Sequence, residues 1–173
     1  MDIAILSKDS LKIKIKKTTV VIDPNKETPK TDADAILALS ENVDRERINE
    51  YRVLINGAGE YEVGGLKISA FLATTDLIFS FSLETCEAIL AKASSLSKIS
   101  TDKIKDYSIV IINADSEINL SIITSMEPRI IVVYGEKAVE AAKTLGKGNL
   151  VKSSKVSINE DKLPEKTEIY LLS

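Results

Sequence analysis

Aspartates that stand at or just beyond the ends of apolar segments are the first candidates for chemistry in this chain. They are Asp23, Asp34, Asp44 and Asp115. Carboxylate oxygens are the ligands that Mg²⁺ and Mn²⁺ prefer, so these side chains together could hold such an ion and activate water. Aspartate at a strand end is also ordinary turn and cap chemistry. A carboxylate-bound metal hydrolase is therefore one hypothesis, and structural turns are the simpler interpretation.

The chain has 173 residues, no histidine and one cysteine, Cys86. Histidine is the commonest transition-metal ligand and the usual acid-base group near neutral pH, so Ser-His-Asp and Cys-His chemistry are excluded. We expect no zinc cofactor, because carboxylates plus one thiol suit Zn²⁺ poorly. Cys86 is more typical of a small buried hydrophobe than of a nucleophile. Carboxylates with Mg²⁺ or Mn²⁺, a lysine, or a Ser-Lys pair remain as enzymatic options.

Other groups of residues could carry chemistry, but each has a simpler structural interpretation. Asn56 to Glu60 could form a glycine-rich phosphate cradle, and Glu60 with Glu62 could form an acid-base pair. A Ser-Lys site could be built from Ser94, Ser95 and Ser97 with Lys92 and Lys98. The first lacks the phosphate-loop lysine and a following helix. Exposed carboxylates and polar loops account for the other two more simply.

Charge and hydropathy restrict the classes of partner that we expect. The net charge is −3 with acidic and basic residues interspersed, which does not indicate a nucleic-acid surface. A basic stripe at Lys12, Lys14, Lys16 and Lys17 is typical of a solvated strand face. No stretch approaches the roughly 20 apolar residues of a membrane span. We therefore expect one cytoplasmic domain over residues 1–173, with no nucleic acid or membrane as partner.

The elements that must position these residues are mostly strands in the first half of the chain. Period-2 alternation and β-branched runs predict strands at Asp2 to Leu6, Leu11 to Lys16, Thr18 to Ile22, Ala35 to Leu39, Val53 to Ile55, Leu66 to Leu72, Leu77 to Leu83 and Ala88 to Ala91. Lys16 and Lys17 form the predicted turn of a hairpin. Ser40 to Asn49 is predicted as a loop or one short helix.

The second half alternates helices and strands. Strands are predicted at Tyr107 to Ile112, Arg129 to Tyr134, around Val156 and Ile158, and at Glu168 to Leu172, with a short capped turn at Thr101 to Asp106. Asp115 or Ser116 can cap a helix that runs to about Met126. A second helix is predicted from Glu136 to Leu145, ended by Gly146.

One segment resembles a known family. Val53 to Ile68 contains Gly-Glu-Tyr-Glu-Val-Gly-Gly and is similar to a stretch of small metal-dependent hydrolases of the metallo-β-lactamase superfamily. Met1 to Pro24, Ala33 to Leu39 and Met126 to Val133 resemble other parts of that family in order and spacing. The resemblance implies an α/β fold, a four-layer αββα sandwich with mixed β-sheets and helices outside. It also implies a structural turn built from Asn56, Gly57, Gly59, Glu60, Tyr61 and Gly65.

The same resemblance implies that the metal site is degenerate. The family's His-x-His-x-Asp-His motif falls on Ser40 to Arg45, so its ligand positions hold Ser40, Asn42, Asp44 and Arg45, and the late histidine falls near Gly135. The family's bridging aspartate falls around Leu90 to Ala93, where no carboxylate is present. Only Asp44 keeps its expected identity. Arg45 would bring a positive charge to the cation's place, where it could pair with Asp44 or Asp34 and fill the cavity.

Three hypotheses of function follow. The chain could be a non-catalytic scaffold, in which protein partners or self-association replace catalysis. It could be a hydrolase, with phosphoesters as one candidate substrate class, that holds Mg²⁺ or Mn²⁺ on carboxylates. It could also bind a small anionic ligand or nucleotide in the old pocket, with Arg45 as the anchor. We expect no catalytic residues and favour the first.

Overall fold

The structure, a computed structural model, describes residues 1–100, 103–146 and 150–173. Its strands are β1 (Asp2–Ser7), β2 (Ser10–Ile15), β3 (Thr18–Ile22), β4 (Ala35–Leu37), β5 (Val53–Ile55), β6 (Gly59–Val63), β7 (Leu66–Ala73), β8 (Asp76–Ser82), β9 (Glu87–Lys92), β10 (Ile109–Asn113), β11 (Ile130–Tyr134), β12 (Leu150–Ser153), β13 (Lys155–Ser157) and β14 (Glu168–Leu172). The helices that the structure describes are α1 (Ala93–Leu96), α2 (Leu120–Ser125) and α3 (Ala138–Leu145), and a 3-10 turn lies at Arg45–Arg47.

The strands form two mixed sheets. One has six strands in the order β13-β1-β2-β3-β4-β5, and the other has eight in the order β12-β14-β11-β10-β9-β8-β7-β6. Hairpins make most of the antiparallel parts, and β13 also pairs antiparallel with β1. The strands β3-β4-β5 and β9-β10-β11-β14-β12 pair in parallel. Parallel pairing places the carboxyl ends of these strands at one edge of each sheet. Polar residues that follow the strands are therefore gathered at that edge.

Period-2 alternation explains how the sheets pack. In β2, Leu11, Ile13 and Ile15 are buried between the sheets, while Lys14 on the other face is exposed, as the sequence predicts. The central strands β10 and β11 are buried along their whole length, because α1, α2 and α3 cover the outer face of the eight-stranded sheet. The core between the sheets is largely aliphatic, with Phe79, Phe81 and Tyr134 as its fully buried aromatic members.

The layers confirm the predicted α/β class with two mixed sheets. On the outer face of the six-stranded sheet, the described covering layer is a loop with the 3-10 turn, and Ile48 packs there over Val21 and Ile36. Among the described helices, none is both long and apolar enough to cross a membrane.

Two predicted helix starts were wrong by a few residues. The helix expected from Asp115 or Ser116 begins at Leu120, because the Asp115 carboxylate instead accepts hydrogen bonds from Ser94. The helix expected from Glu136 begins at Ala138, because the backbone N–H of Lys137 is still bonded to Ala114 after β10. In the turn predicted at Thr101 to Asp106, residues 101 and 102 lie outside the described part of the chain.

Candidate functional site

A polar cleft of about 330 Å³ lies where the carboxyl ends of the two sheets meet. Its lining residues are all polar or charged: Asp9, Asp23, Asn25, Ser40, Asn42, Lys92, Asn113, Asp115 and Glu136. The parallel register explains part of this set, because Asn113 at the end of β10 pairs with Lys92 at the end of β9. Asp23 and Ser40 come from the ends of β3 and β4 in the other sheet.

Asp23 is the most constrained carboxylate of the cleft. It is 6% exposed and adopts a left-handed backbone conformation with φ of 42°. Its Oδ1 accepts the backbone N–H groups of Leu39 (2.8 Å) and Ser40 (3.1 Å), and its Oδ2 accepts the Ser40 hydroxyl (2.8 Å). Burial raises the pKa of the Asp23 carboxyl above its ordinary value, although these hydrogen bonds and the charge of Lys92 act in the opposite direction. Asp23 therefore holds the chain after β4 in place.

Lys92 brings a positive charge into this acidic cleft. It is half-buried, and its charge is near enough to Asp23 to favour the ionised carboxylate. Its ammonium makes no hydrogen bond, and no ion pair within 4.0 Å, with any residue that the structure describes. Lys92 lies within the segment where the family resemblance places a bridging carboxylate. The sign of the charge at this position is thus the opposite of what a metal cation requires.

Behind Lys92, two buried polar atoms lack partners. Within the described chain, Asn113 Oδ1 and the Tyr134 hydroxyl form no hydrogen bond of good geometry, although Asn113 is 4% exposed and Tyr134 fully buried. Burial raises the pKa of Tyr134 well above its ordinary value, the charges of Asp23, Asp9 and Asp115 add to this, and the Asn113 amide opposes it. These carboxylates therefore surround the same point.

Gly135 packs against Asn113, one of the residues that line the cleft. Its φ is 99°, and a Cβ atom there would stand 2.6 Å from Asn113 Oδ1 and 3.2 Å from the backbone nitrogen of Ala114. The position that the resemblance assigns to a late histidine thus has no space for any side chain in this arrangement. The remaining rim is tied together by Asp115, which accepts hydrogen bonds from Ser94, and by an ion pair of 3.2 Å between Lys8 and Glu136.

The metal-motif positions are only partly brought together. Ser40 and Asn42 line the cleft, but Asp44 and Arg45 do not. Arg45 is exposed, so the hypothesis that it fills the old cavity was wrong. The partner of Asp44 is Arg47, at 3.5 Å. The reason is that the 3-10 turn at Arg45–Arg47 lies on the outer face of the six-stranded sheet, away from the strand ends.

Only some of the strand-end aspartates lie in the cleft. Asp23 and Asp115 line the cleft, whereas Asp34 lies before β4, at the opposite end of the sheet. Asp34 accepts the backbone N–H of Thr19 (2.8 Å) and pairs with Arg52 at 3.6 Å. The predicted metal site made of all four aspartates is therefore not formed.

The predicted structural turn is only partly a turn: Gly59, Glu60 and Tyr61 lie in strand β6, and Gly64 with Gly65 makes the tight turn to β7. The hydroxyl of Tyr61 donates to the carbonyl of Gly57 (3.0 Å), and the Cβ position of Gly59 would touch the Tyr61 ring at 3.4 Å. Glu60 accepts the hydroxyl of Ser69 on the neighbouring strand. Asn56, Gly65 and the other residues of this segment do not line the cleft.

Sequence reasoning missed several residues of the cleft: Asp9, Asn25, Asn113 and Glu136, and the role of Lys92. The sequence contains a signal for Lys92, because Lys92 lies in the segment where the family resemblance places a carboxylate. The Ser-Lys hypothesis fails on geometry, since Lys98 is exposed, Ser95 is buried in α1, and Ser94 bonds to Asp115.

A divalent metal does not fit these residues. In the part of the chain that the structure describes, no three His, Cys, Asp or Glu side chains are grouped closely enough to hold an ion. Asp23 already accepts three hydrogen bonds from the protein. Lys92 would repel a cation at the same point.

Comparison with known proteins concerns the fold. No family model and no curated protein matches the sequence. A proposed Zn-dependent hydrolase of the metallo-β-lactamase superfamily from Thermotoga maritima is 13% identical, with a TM-score of 0.77 over 99% of this chain and 97% of that one. The metallo-β-lactamase-fold protein YhfI from Bacillus subtilis is 7% identical (TM-score 0.59; 98% and 95%). An isothiocyanate hydrolase from Delia radicum gut bacteria is 9% identical (TM-score 0.62; 92% and 100%).

Proposed function

We propose that this metallo-β-lactamase-fold protein is a non-catalytic binding protein whose cleft holds a lysine ammonium in place of a metal ion. The observation that carries the proposal is Lys92, whose ammonium lies among the carboxylates at the strand ends. A protein-borne cation offsets nearby negative charge, but it generates no hydroxide nucleophile, which is what a hydrolytic metal supplies.

Gly135 supports the same proposal. Loss of a ligand by one substitution can be reversed, but a glycine with φ of 99° and a neighbour 2.6 Å from its Cβ position leaves no space for histidine. The backbone around the cleft is therefore adapted to a different use. The anion-binding alternative loses its anchor, because Arg45 is exposed and lies outside the cleft.

Metal content tests the proposal directly. Untagged protein, purified without chelators, would be analysed for metals and then heated in the presence of Zn²⁺, Mn²⁺ and Mg²⁺. We expect far less than one equivalent of metal and no concentration-dependent rise in Tm. A chelator-treated sample reloaded with each ion is the control for metal lost during purification. Near one equivalent of bound metal with a rise in Tm would instead support the carboxylate-dependent hydrolase.

Self-association is a second candidate function, favoured by one surface. Strand β12 is at the edge of the eight-stranded sheet, and Leu150 and Val151 on it are each 44% exposed. An open edge strand with apolar side chains is suited to pairing with another chain. Light scattering would test this, with Val151→Lys as the variant that should return a dimer to monomer. A wild-type protein that stays monomeric at high concentration would argue against it.

A further inference from the structure

We infer that the cleft binds a small zwitterion, a molecule that carries an ammonium and a carboxylate a few ångströms apart, as an amino acid does. This inference rests on the proposed function, because a metal in the cleft would occupy the same carboxylates. It names the chemical class of the ligand, which the proposal of a binding protein leaves open.

Three carboxylates of the cleft already have partners within the protein. Asp23 is bonded by Leu39 and Ser40, Asp115 by Ser94, and Glu136 by Lys8. A ligand that used these groups would have to displace contacts that they already make. The ligand must therefore be recognised by the groups that remain.

The remaining charged groups have opposite signs. Asp9 and Lys92 both line the cleft and are half-buried, and neither makes a hydrogen bond or an ion pair through its side chain with the described residues. A cation alone would leave the Lys92 ammonium without a partner, and an anion alone would leave the Asp9 carboxylate without one. A ligand with both charges complements both groups at once.

A third unpartnered group indicates a donor on the ligand. Asn113 also lines the cleft, is 4% exposed, and its Oδ1 accepts no hydrogen bond of good geometry from any described residue, although the Tyr134 hydroxyl is a neighbour of its amide. A buried acceptor without a donor is destabilising, whereas an ammonium brings several donors. We therefore place the ammonium of the ligand between Asp9 and Asn113 and its carboxylate at Lys92.

Size and lining restrict the ligand further. The cleft volume of about 330 Å³ is at the small end of ligand pockets, which span about 300–1,000 Å³. Its lining has no apolar side chain, so a large hydrophobic substituent would gain little from binding. Small polar amino acids such as glycine, serine and glutamate are the probes that fit best.

The experiment compares whole zwitterions with their halves. Metal-free wild-type protein would be tested by thermal shift and calorimetry with glycine, L-serine and L-glutamate, and in parallel with ethylamine, acetate and an equimolar mixture of the two. We expect saturable stabilisation by at least one amino acid at millimolar concentration and none by the halves. Equal stabilisation by ethylamine or acetate alone would overturn the inference, as would no response to any amino acid.

Matched variants locate the binding. Lys92→Met keeps the aliphatic stem and Asp9→Asn keeps the shape, and each should weaken binding at least tenfold. Lys98→Met and Asp161→Asn remove the same charges from exposed positions outside the cleft and should bind like the wild type. Unchanged affinity in both cleft variants would overturn the inference. The wild-type comparison decides the question alone if a cleft variant does not fold.

The two proposals fail in different ways. Bound metal in the wild-type protein would remove both the non-catalytic function and the zwitterion. A metal-free protein that ignores every amino acid would remove only the zwitterion.

Discussion

Gly64 and Gly135 meet similar backbone demands at opposite ends of β3. Both have positive φ, 58° and 99°, and a Cβ atom on either would stand within 2.6 Å of a polar side-chain oxygen. At Gly64 that oxygen is Oγ1 of Thr18, at the start of β3. At Gly135 it is Oδ1 of Asn113, in the cleft that Asp23 reaches from the end of β3.

The two oxygens differ in how they are satisfied. The Thr18 hydroxyl is within hydrogen-bond distance of the carbonyls of Val63 (3.2 Å) and Gly64 (3.1 Å), so it joins the two sheets. Asn113 Oδ1 has no partner among the described residues. Close packing at Gly64 therefore serves the fold, whereas equally close packing at Gly135 leaves a buried polar group unsatisfied. Unsatisfied groups of this kind are expected where a protein binds something.

Gly135→Ala should give the largest loss of stability. The new Cβ meets Asn113 Oδ1 at 2.6 Å and the Ala114 backbone at 3.2 Å, and alanine is strained at φ of 99°. We expect a decrease of about 3 kcal/mol in the free energy of unfolding. Gly65→Ala is the control, since Gly65 has φ of 85° with nothing within 4 Å, and should cost only about 1 kcal/mol. Urea unfolding would measure both.

Equal losses for these two glycines would mean that the cleft backbone relaxes freely. Gly135 would then provide no barrier to a histidine, and its backbone would tolerate a side chain as easily as Gly65 does in the turn between β6 and β7. The Gly135→His variant would show the consequence: metal-dependent stabilisation in it would contradict our interpretation of the cleft.

Gly64→Ala should cost less, about 2 kcal/mol. Its close contacts are all with the Thr18 side chain, at 2.5 Å for Oγ1, and no backbone atom is among them. Removal of that side chain should therefore relieve the clash, so Thr18→Ala with Gly64→Ala should be less destabilising than the sum of the single variants. A double-mutant cycle by urea unfolding measures this coupling. Strictly additive losses would show that φ strain alone constrains Gly64.

Local pattern explains which features could be predicted. The alternation in β2 and the apolar runs in β10 and β11 are properties of adjacent residues, so the sequence indicates them directly. The cleft is different, because Lys92 and Asn113 become neighbours only through the parallel register of β9 and β10. Sequence patterns do not specify that register between strands separated by a helix and a loop.

The errors in the predicted site arise from whether a residue precedes its strand or follows it. Asp34 and Asp23 both lie beside strands of one sheet, but Asp34 precedes its strand and Asp23 follows one. Proximity to a strand does not place a residue at the edge that forms the cleft, whereas a position just after the carboxyl end of the strand does. Arg45 was misplaced for a related reason, since the loop after β4 turns outward over the sheet before the 3-10 turn begins.

Asp23→Asn should change the pH dependence of stability rather than abolish folding. Burial raises the pKa of Asp23 in the folded protein, so the folded state binds its proton more tightly than the unfolded state does. The resulting stability is complete below the ordinary pKa and is lost as the pH rises through the folded value. As the pH rises above the ordinary aspartate pKa of about 4, the wild type should lose stability relative to the variant. Urea midpoints across this range would measure it, and parallel profiles would contradict it.

Arg45→Ala should have the smallest effect, and it tests whether Lys92 is the cation that matters to the cleft. Arg45 is exposed, so we expect a change below about 0.5 kcal/mol. Arg47→Ala is the matched control, because Arg47 pairs with Asp44 at 3.5 Å and its loss should cost about 0.5 kcal/mol. A larger loss at Arg45 than at Arg47 would place the Arg45 guanidinium against the carboxylates. Lys92 would then share its role, and a second cation would favour an anionic ligand over a zwitterion.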